Sequence, residues 1–188
     1  DLQGLKIRTP GLGGEVLTKM GGTVVNMPAG EIFTALQTGA IDATEWIGPY
    51  NDLALGLHKA AKYYYTPGWQ EPNVTFELDI NIKAWETLPA DLQAIVRAAA
   101  RDVNADMLDD YDARNMEALE QLKADGVEVR RLPDEVLAKL KGVAAEVVDA
   151  SAAADPAATK VWEQQKAYLQ RLYDYAEHAE KDIYNIRG

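Results

Sequence analysis

Arg8, Glu45 and Glu71 are the ionisable side chains best placed to do chemistry, and Trp46, Tyr50, Trp69 and Gln70 stand beside them in sequence. Arg8 closes the strand-like run "LKIRT" (5–9). A guanidinium at a strand's carboxyl end offers a planar, bidentate fork for a carboxylate. The plainer alternative is a surface ion pair with a neighbouring Glu. Glu45 and Trp46 lie in "IDATEWIGPYND" (41–52), and Trp69, Gln70 and Glu71 in "TPGWQEPN" (66–73). Two carboxylates on one rim suit either a general acid/base pair or hard-oxygen ligation of a cation. The two indoles either line a cleft or pack a lid onto a core. Convergence of all these groups on one sheet rim favours a ligand site.

Other chemistries are poorly supplied. The chain has no cysteine, and Ser151 is its only serine, which removes thiolate metal sites and Ser or Cys nucleophiles. His58 and His178, the only histidines, fall in helical patterns without a second ligand at a metal-binding spacing. "GLGGE" (11–15) lacks the lysine of a phosphate loop and the spacing of a dinucleotide loop, and reads as a strand-to-helix turn. Asp109, Asp110 and Asp112 lack the glycine of a calcium loop and read as a solvated helix face. A net charge of −11 disfavours nucleic acid and anionic membranes as partners. A single cation in a pocket can still hold a small anion. No run approaches the length of a membrane-spanning helix.

The elements that must position these groups alternate in the first third of the chain. The pattern predicts strands at 5–9, 23–27, 40–46 and 62–66 and helices around 13–20, 28–39 and 49–61. Such alternation implies an α/β fold with a mostly parallel sheet. A long alternating strand is expected at 74–83. Beyond it the pattern is helical over 88–126, 133–154 and 156–184, with a short strand at 127–132. Gly126 is a natural helix stop, and Asp155-Pro156 a natural start.

"MPAGEIFTALQTGAIDATEW" (27–46) strongly resembles the signature stretch of the solute-binding proteins of tripartite ATP-independent periplasmic (TRAP) transporters. "LKIRTPG" (5–11) and "YYYTPGWQEPN" (63–73) resemble that family's Arg strand and second rim loop. The resemblance implies a two-lobed, periplasmic-binding-protein-like receptor that closes on an organic acid and delivers it to a membrane permease. By the same resemblance Arg8 salt-bridges the ligand carboxylate. Trp46 stands where dicarboxylate-type members commonly have Asn. "EW" with a later "WQE" looks like the subgroup for 2-oxo or 2-hydroxy monocarboxylates bound with a cation. There Glu45, Trp46 through its carbonyl, and Glu71 would help hold Na⁺ or Ca²⁺, with Tyr50, Trp69 and Gln70 lining the cleft.

Family members are longer, and this chain starts at Asp1, just before the Arg strand. The expectation is therefore a partial chain: residues 1–72 as the second, ligand-binding lobe, and 73–188 as a returning hinge strand plus C-terminal helices of the first lobe. An N-terminal segment would have been removed, or cleaved and retained as a partner. The last helix is expected either to pair in a homodimer or to pack along its own chain. The alternatives are a dicarboxylate receptor without metal and, from a different class, a lyase or glycosidase using Glu45 and Glu71.

Overall fold

The computed structural model describes residues 2–71 and 76–187. Three short strands, β1 (Lys6–Arg8), β2 (Thr23–Val25) and β3 (Ala43–Thr44), form a parallel sheet in the order β2-β1-β3. Arg8 lies in register with Val25 on one side and Thr44 on the other. The backbone pairing of β3 extends past its two regular residues, because the Asp42 amide donates to Lys6 O (2.8 Å) and the Glu45 amide to Arg8 O (3.0 Å). The Asp42 carboxylate also takes the Lys6 amide at 2.9 Å. The chain thus leaves β1 for one neighbour, then crosses to the other. That reversal of direction is where open α/β sheets bind ligands, outside the carboxyl ends of the strands.

Helix α1 (Gly11–Lys19) joins β1 to β2, and α2 (Ala29–Thr38) joins β2 to β3. Pro28 caps α2 in an extended conformation, and Gly39 closes it at φ 73°, a left-handed stop that glycine adopts without strain. Ile32, Ala35 and Leu36 recur at helical spacing and bury against Ile41 and Leu57, with Trp46 at the border of this core. Val16 and Leu17 of α1 bury against Leu140 and Val147 of α6 (Asp134–Ala153) in a second core.

After α3 (Pro49–Ala54) the chain turns through Gly56 (φ 69°) into a 3₁₀ turn, Leu57–Lys59, so the helix expected over 49–61 is broken at the glycine. Strand β4 (Tyr63–Thr66) corrects a larger expectation. It does not extend the β2-β1-β3 sheet but pairs in parallel with β5 (Glu128–Arg131), from Tyr63↔Glu128 to Thr66↔Arg131. Outward side chains add contacts across the pair, and Glu128 is also held by Arg130 of its own strand. Lys62 and Arg130 both reach Glu128, at 2.9 and 2.6 Å, and the Arg130 guanidinium lies 3.8 Å from the Tyr63 ring centroid.

The strand expected at 74–83 is also corrected. Residues 74 and 75 lie outside the described residues, while 76–81 are not strand and 82–87 are helix α4 (Ile82–Thr87), capped by Asn81. Phe76, Leu78 and Ile80 keep their alternation but stand exposed, with no neighbouring strand among the described residues to complete a ladder. Without a partner the extended conformation has nowhere to place its backbone hydrogen bonds. Helix α5 (Ala90–Ala124) follows, 35 residues long and buried only near its end, at Ala118 and Leu122. The final helical run is two helices, α7 (Pro156–His178) and α8 (Glu180–Arg187), broken at Ala179. Asp155 caps α7 through the Ala157 and Ala158 amides. Elements from both sides of residue 72 pack together: α3 on α5, β4 on β5, and α1 on α6.

Candidate functional site

Arg8 is buried, only 8% exposed, and its guanidinium is held from several sides. Nε donates to Met27 O at 3.3 Å and Nη1 to Glu45 O at 3.2 Å. The Trp46 ring lies under it, 5.3 Å from Cζ to the ring centroid. These partners come from the ends of β2 and β3, so the sheet itself aims the fork. No carboxylate side chain pairs with Arg8 among the described residues, and Nη2 has no protein partner there. A buried cation with no directly bonded carboxylate is costly, and an anionic group docked on the free edge would lower that cost.

Glu45 follows β3 beside it. Its Oε2 accepts from Thr9 Oγ1 at 3.1 Å, and Thr9 is 2% exposed. Burial pushes the Glu45 carboxyl above the usual range; the Thr9 hydroxyl and Arg8 oppose that, and the negative charges of Glu71 and Asp52 reinforce it. The effect of Glu71 places the two sequence-selected carboxylates within electrostatic reach of each other. Gln70 lies across α1: a Cβ built on Gly13 would sit 3.4 Å from Gln70 Cβ and 3.5 Å from Thr9 Oγ1. Trp69 packs into the α1/α6 core, which ties the loop carrying Gln70 and Glu71 to the sheet that carries Arg8. Although β4 lies in a different sheet, its loop therefore reaches the same rim.

Tyr50 is placed differently. Its amide donates to Asn115 Oδ1 (3.0 Å), its hydroxyl accepts from Arg114 Nη1 (3.2 Å), and its ring meets Tyr111 edge-on at 6.1 Å. These contacts seat the start of α3 on α5, and none joins Tyr50 to Arg8, Glu45 or Trp46.

Sequence reasoning missed two groups. Thr9 gave no signal beyond adjacency to Arg8. Asp52 reads as an ordinary acid in the first turn of a helix, yet it is 8% exposed and accepts from Tyr64 Oη (2.7 Å) and the Ile47 amide (3.3 Å). Burial raises its pKa, against the opposing hydrogen bonds from Tyr64, Ile47 and Gly48. Burial and Asp52 together hold the Tyr64 phenol far above its ordinary value.

Glu45, Glu71 and the Trp46 carbonyl are hard oxygen donors, free of sulfur and imidazole, and suit Na⁺ or Ca²⁺. Glu45 Oε1 has no hydrogen-bond partner among the described residues. Among those residues no three His, Cys, Asp or Glu side chains converge as a metal cluster. The chain thus offers part of a shell of six to eight oxygens. Helices long and apolar enough to cross a membrane are absent from the described residues.

The family model for bacterial extracellular solute-binding protein, family 7, matches residues 1–155. A monocarboxylate 2-oxoacid-binding periplasmic protein of Nostoc sp. PCC 7120 is 43% identical over 173 residues, covering 92% of this chain and 48% of the relative. A TRAP periplasmic solute-binding protein of Colwellia psychrerythraea, with bound calcium and pyruvate, matches with a TM-score of 0.92 and 36% identity. That match covers 98% of this chain and 57% of the relative's. One from Pseudoalteromonas atlantica T6c, with sodium and pyruvate, matches at 0.86 and 36%, covering 98% and 56%. One from Bordetella bronchiseptica RB50, a mixed-occupancy dimer with copurified calcium and picolinate, matches at 0.90 and 36%, covering 100% and 56%. The chain spans about half the length of the relatives it matches. With its sheet, Arg8 cradle and signature stretch in place, the chain belongs to the family 7 bacterial extracellular solute-binding proteins.

Proposed function

We propose that this chain forms the carboxylate-anchoring part of a periplasmic receptor that captures a small 2-oxo or 2-hydroxy monocarboxylate and hands it to the membrane subunits of a TRAP transporter. The observation that carries the reading is the buried Arg8 guanidinium, oriented by two backbone carbonyls and an indole yet without a carboxylate partner among the described residues. The ligand carboxylate would take Nη2. Na⁺ or Ca²⁺ would bridge it to Glu45, Glu71 and the Trp46 carbonyl, relieving the repulsion between the two glutamates. Relatives whose names pair pyruvate with calcium or sodium support this choice over a metal-free dicarboxylate receptor. The same relatives are binding proteins, which supports a receptor over an acid/base enzyme.

Gln70 stands at the rim beside Thr9, and its amide is proposed to contact the ligand. Trp46 forms the floor under Arg8. For Trp69 the proposed part is to hold the rim loop in place, and for Tyr50 to border the cleft from the α3/α5 junction. The body around the β2-β1-β3 sheet is read as the second lobe, with the remaining cation ligands supplied by the first. A homodimer through α7 and α8 is proposed from the exposure of Tyr168, Leu172, Tyr173 and Ile183.

Thermal shift of the full-length protein against pyruvate, lactate and succinate, with and without Ca²⁺ or Na⁺, tests the reading. Stabilisation by pyruvate or lactate that needs the cation is expected. A response to succinate alone, independent of cation, would replace it with the dicarboxylate reading.

A further inference from the structure

The Trp46–Ile47 peptide is a trans unit with two ends, and both are spoken for. Its carbonyl is the Trp46 oxygen proposed as a cation ligand. Its N–H donates to Asp52 Oδ1 at 3.3 Å. A trans peptide is planar with its C=O and N–H pointing in opposite directions, so whatever fixes the N–H fixes the carbonyl. We infer that Asp52 is a positioning residue for the cation site: by accepting the Ile47 N–H it orients and polarises the Trp46 carbonyl toward the metal. This rests on the cation-bridged reading above.

Three observations carry it. Asp52 is buried, so its negative end acts on that peptide through little intervening water. Its second oxygen is held at 2.7 Å by the Tyr64 hydroxyl, which leaves Oδ1 aimed at the peptide. Tyr64 belongs to β4, the strand whose following loop carries Trp69, Gln70 and Glu71. A single buried acid therefore ties the carbonyl ligand on one loop to the strand that launches the carboxylate ligand on the other.

Groups that hold metal ligands in place typically contribute ten- to hundredfold to metal affinity when removed. In the full-length protein, Asp52→Asn keeps the shape and an acceptor for the Ile47 amide but loses the charge. Calorimetry with Ca²⁺ in the presence of saturating pyruvate should show about tenfold weaker Ca²⁺ binding for Asp52→Asn. Trp46-Ile47 is the only Trp-Ile pair in this sequence. Carbonyl-¹³C Trp with ¹⁵N Ile labelling marks this peptide in full-length wild type and in Tyr64→Phe, which leaves Asp52 in place, and its signal is identified as the one lost in Ile47→Val. Its ¹³C and ¹⁵N signals should move when Ca²⁺ is added, and the Ca²⁺-free ¹⁵N signal should already differ between the two proteins. Calcium-dependent pyruvate binding in wild type with unchanged Ca²⁺ affinity in Asp52→Asn overturns the inference alone. So does a peptide signal indifferent to Ca²⁺ in a wild type that binds it. Absence of any cation dependence in wild type overturns the cation-bridged reading and the inference together.

Discussion

Burying Arg8 beside two backbone carbonyls and an indole leaves its guanidinium without a directly paired carboxylate among the described residues, with Glu45 acting on it only through space. Asp52 carries the matching problem of opposite sign, because burial raises its pKa above its ordinary 3.8. The folded state then binds that proton more tightly than the unfolded chain does. The stability it confers is full below about the ordinary value and is lost as pH rises through the folded one. Asp52→Asn should flatten this decline, read as Tm of the ligand-free protein between pH 4 and 8. An undiminished pH slope would mean Asp52 is not the group responsible. Arg8, Glu45 and Trp46 were legible in the sequence because a strand end and a signature stretch marked them. Thr9 and Asp52 were not, since an internal Thr and a helix-start Asp are common; only contacts across the fold, 36 residues away for Thr9 with Glu45, reveal their part.

Among the elements, α1 sits so close to β1 that a side chain at residue 14 would crowd the strand. A Cβ on Gly14 would fall 3.0 Å from the Thr9 carbonyl oxygen and 3.1 Å from Val24 Cγ1. Gly14→Ala should therefore push on the backbone that presents Thr9 to Glu45, costing about 1–3 kcal/mol in chemical denaturation and weakening cation binding. Wild-type stability in this variant would show that the sheet can relax. Core truncation at Ile32, which is fully buried, should cost about 2–5 kcal/mol without directly touching the site. Helix–strand alternation up to residue 66 was readable from periodicity, because each element buries its own apolar face. The β4–β5 pairing was not, since its backbone ladder joins segments about sixty residues apart and no local pattern announces it. Alternation at Phe76, Leu78 and Ile80 suggested a strand, but period alone does not make one where no neighbouring strand lies alongside.

At the scale of the molecule, much apolar surface lies outside the two cores, on residues 76–82, the first half of α5, and α7 with α8. The relatives are about twice as long as this chain, and the proposed receptor draws its remaining ligands from such additional chain. For the last helices the proposal is a dimer, so light scattering of the full-length protein should give twice the monomer mass. Leu172→Glu, on the exposed face of α7, should return it to the monomer. A monomeric wild type would leave those helices packing along their own chain. Calorimetric titration of pyruvate with Ca²⁺ into full-length wild type and Arg8→Ala reads the anchoring of a carboxylate by Arg8. Affinity for Arg8→Ala should be about thirtyfold weaker or worse, since truncating one partner of a buried charge pair costs about 2–5 kcal/mol. Equal affinity in the two proteins would contradict that anchoring.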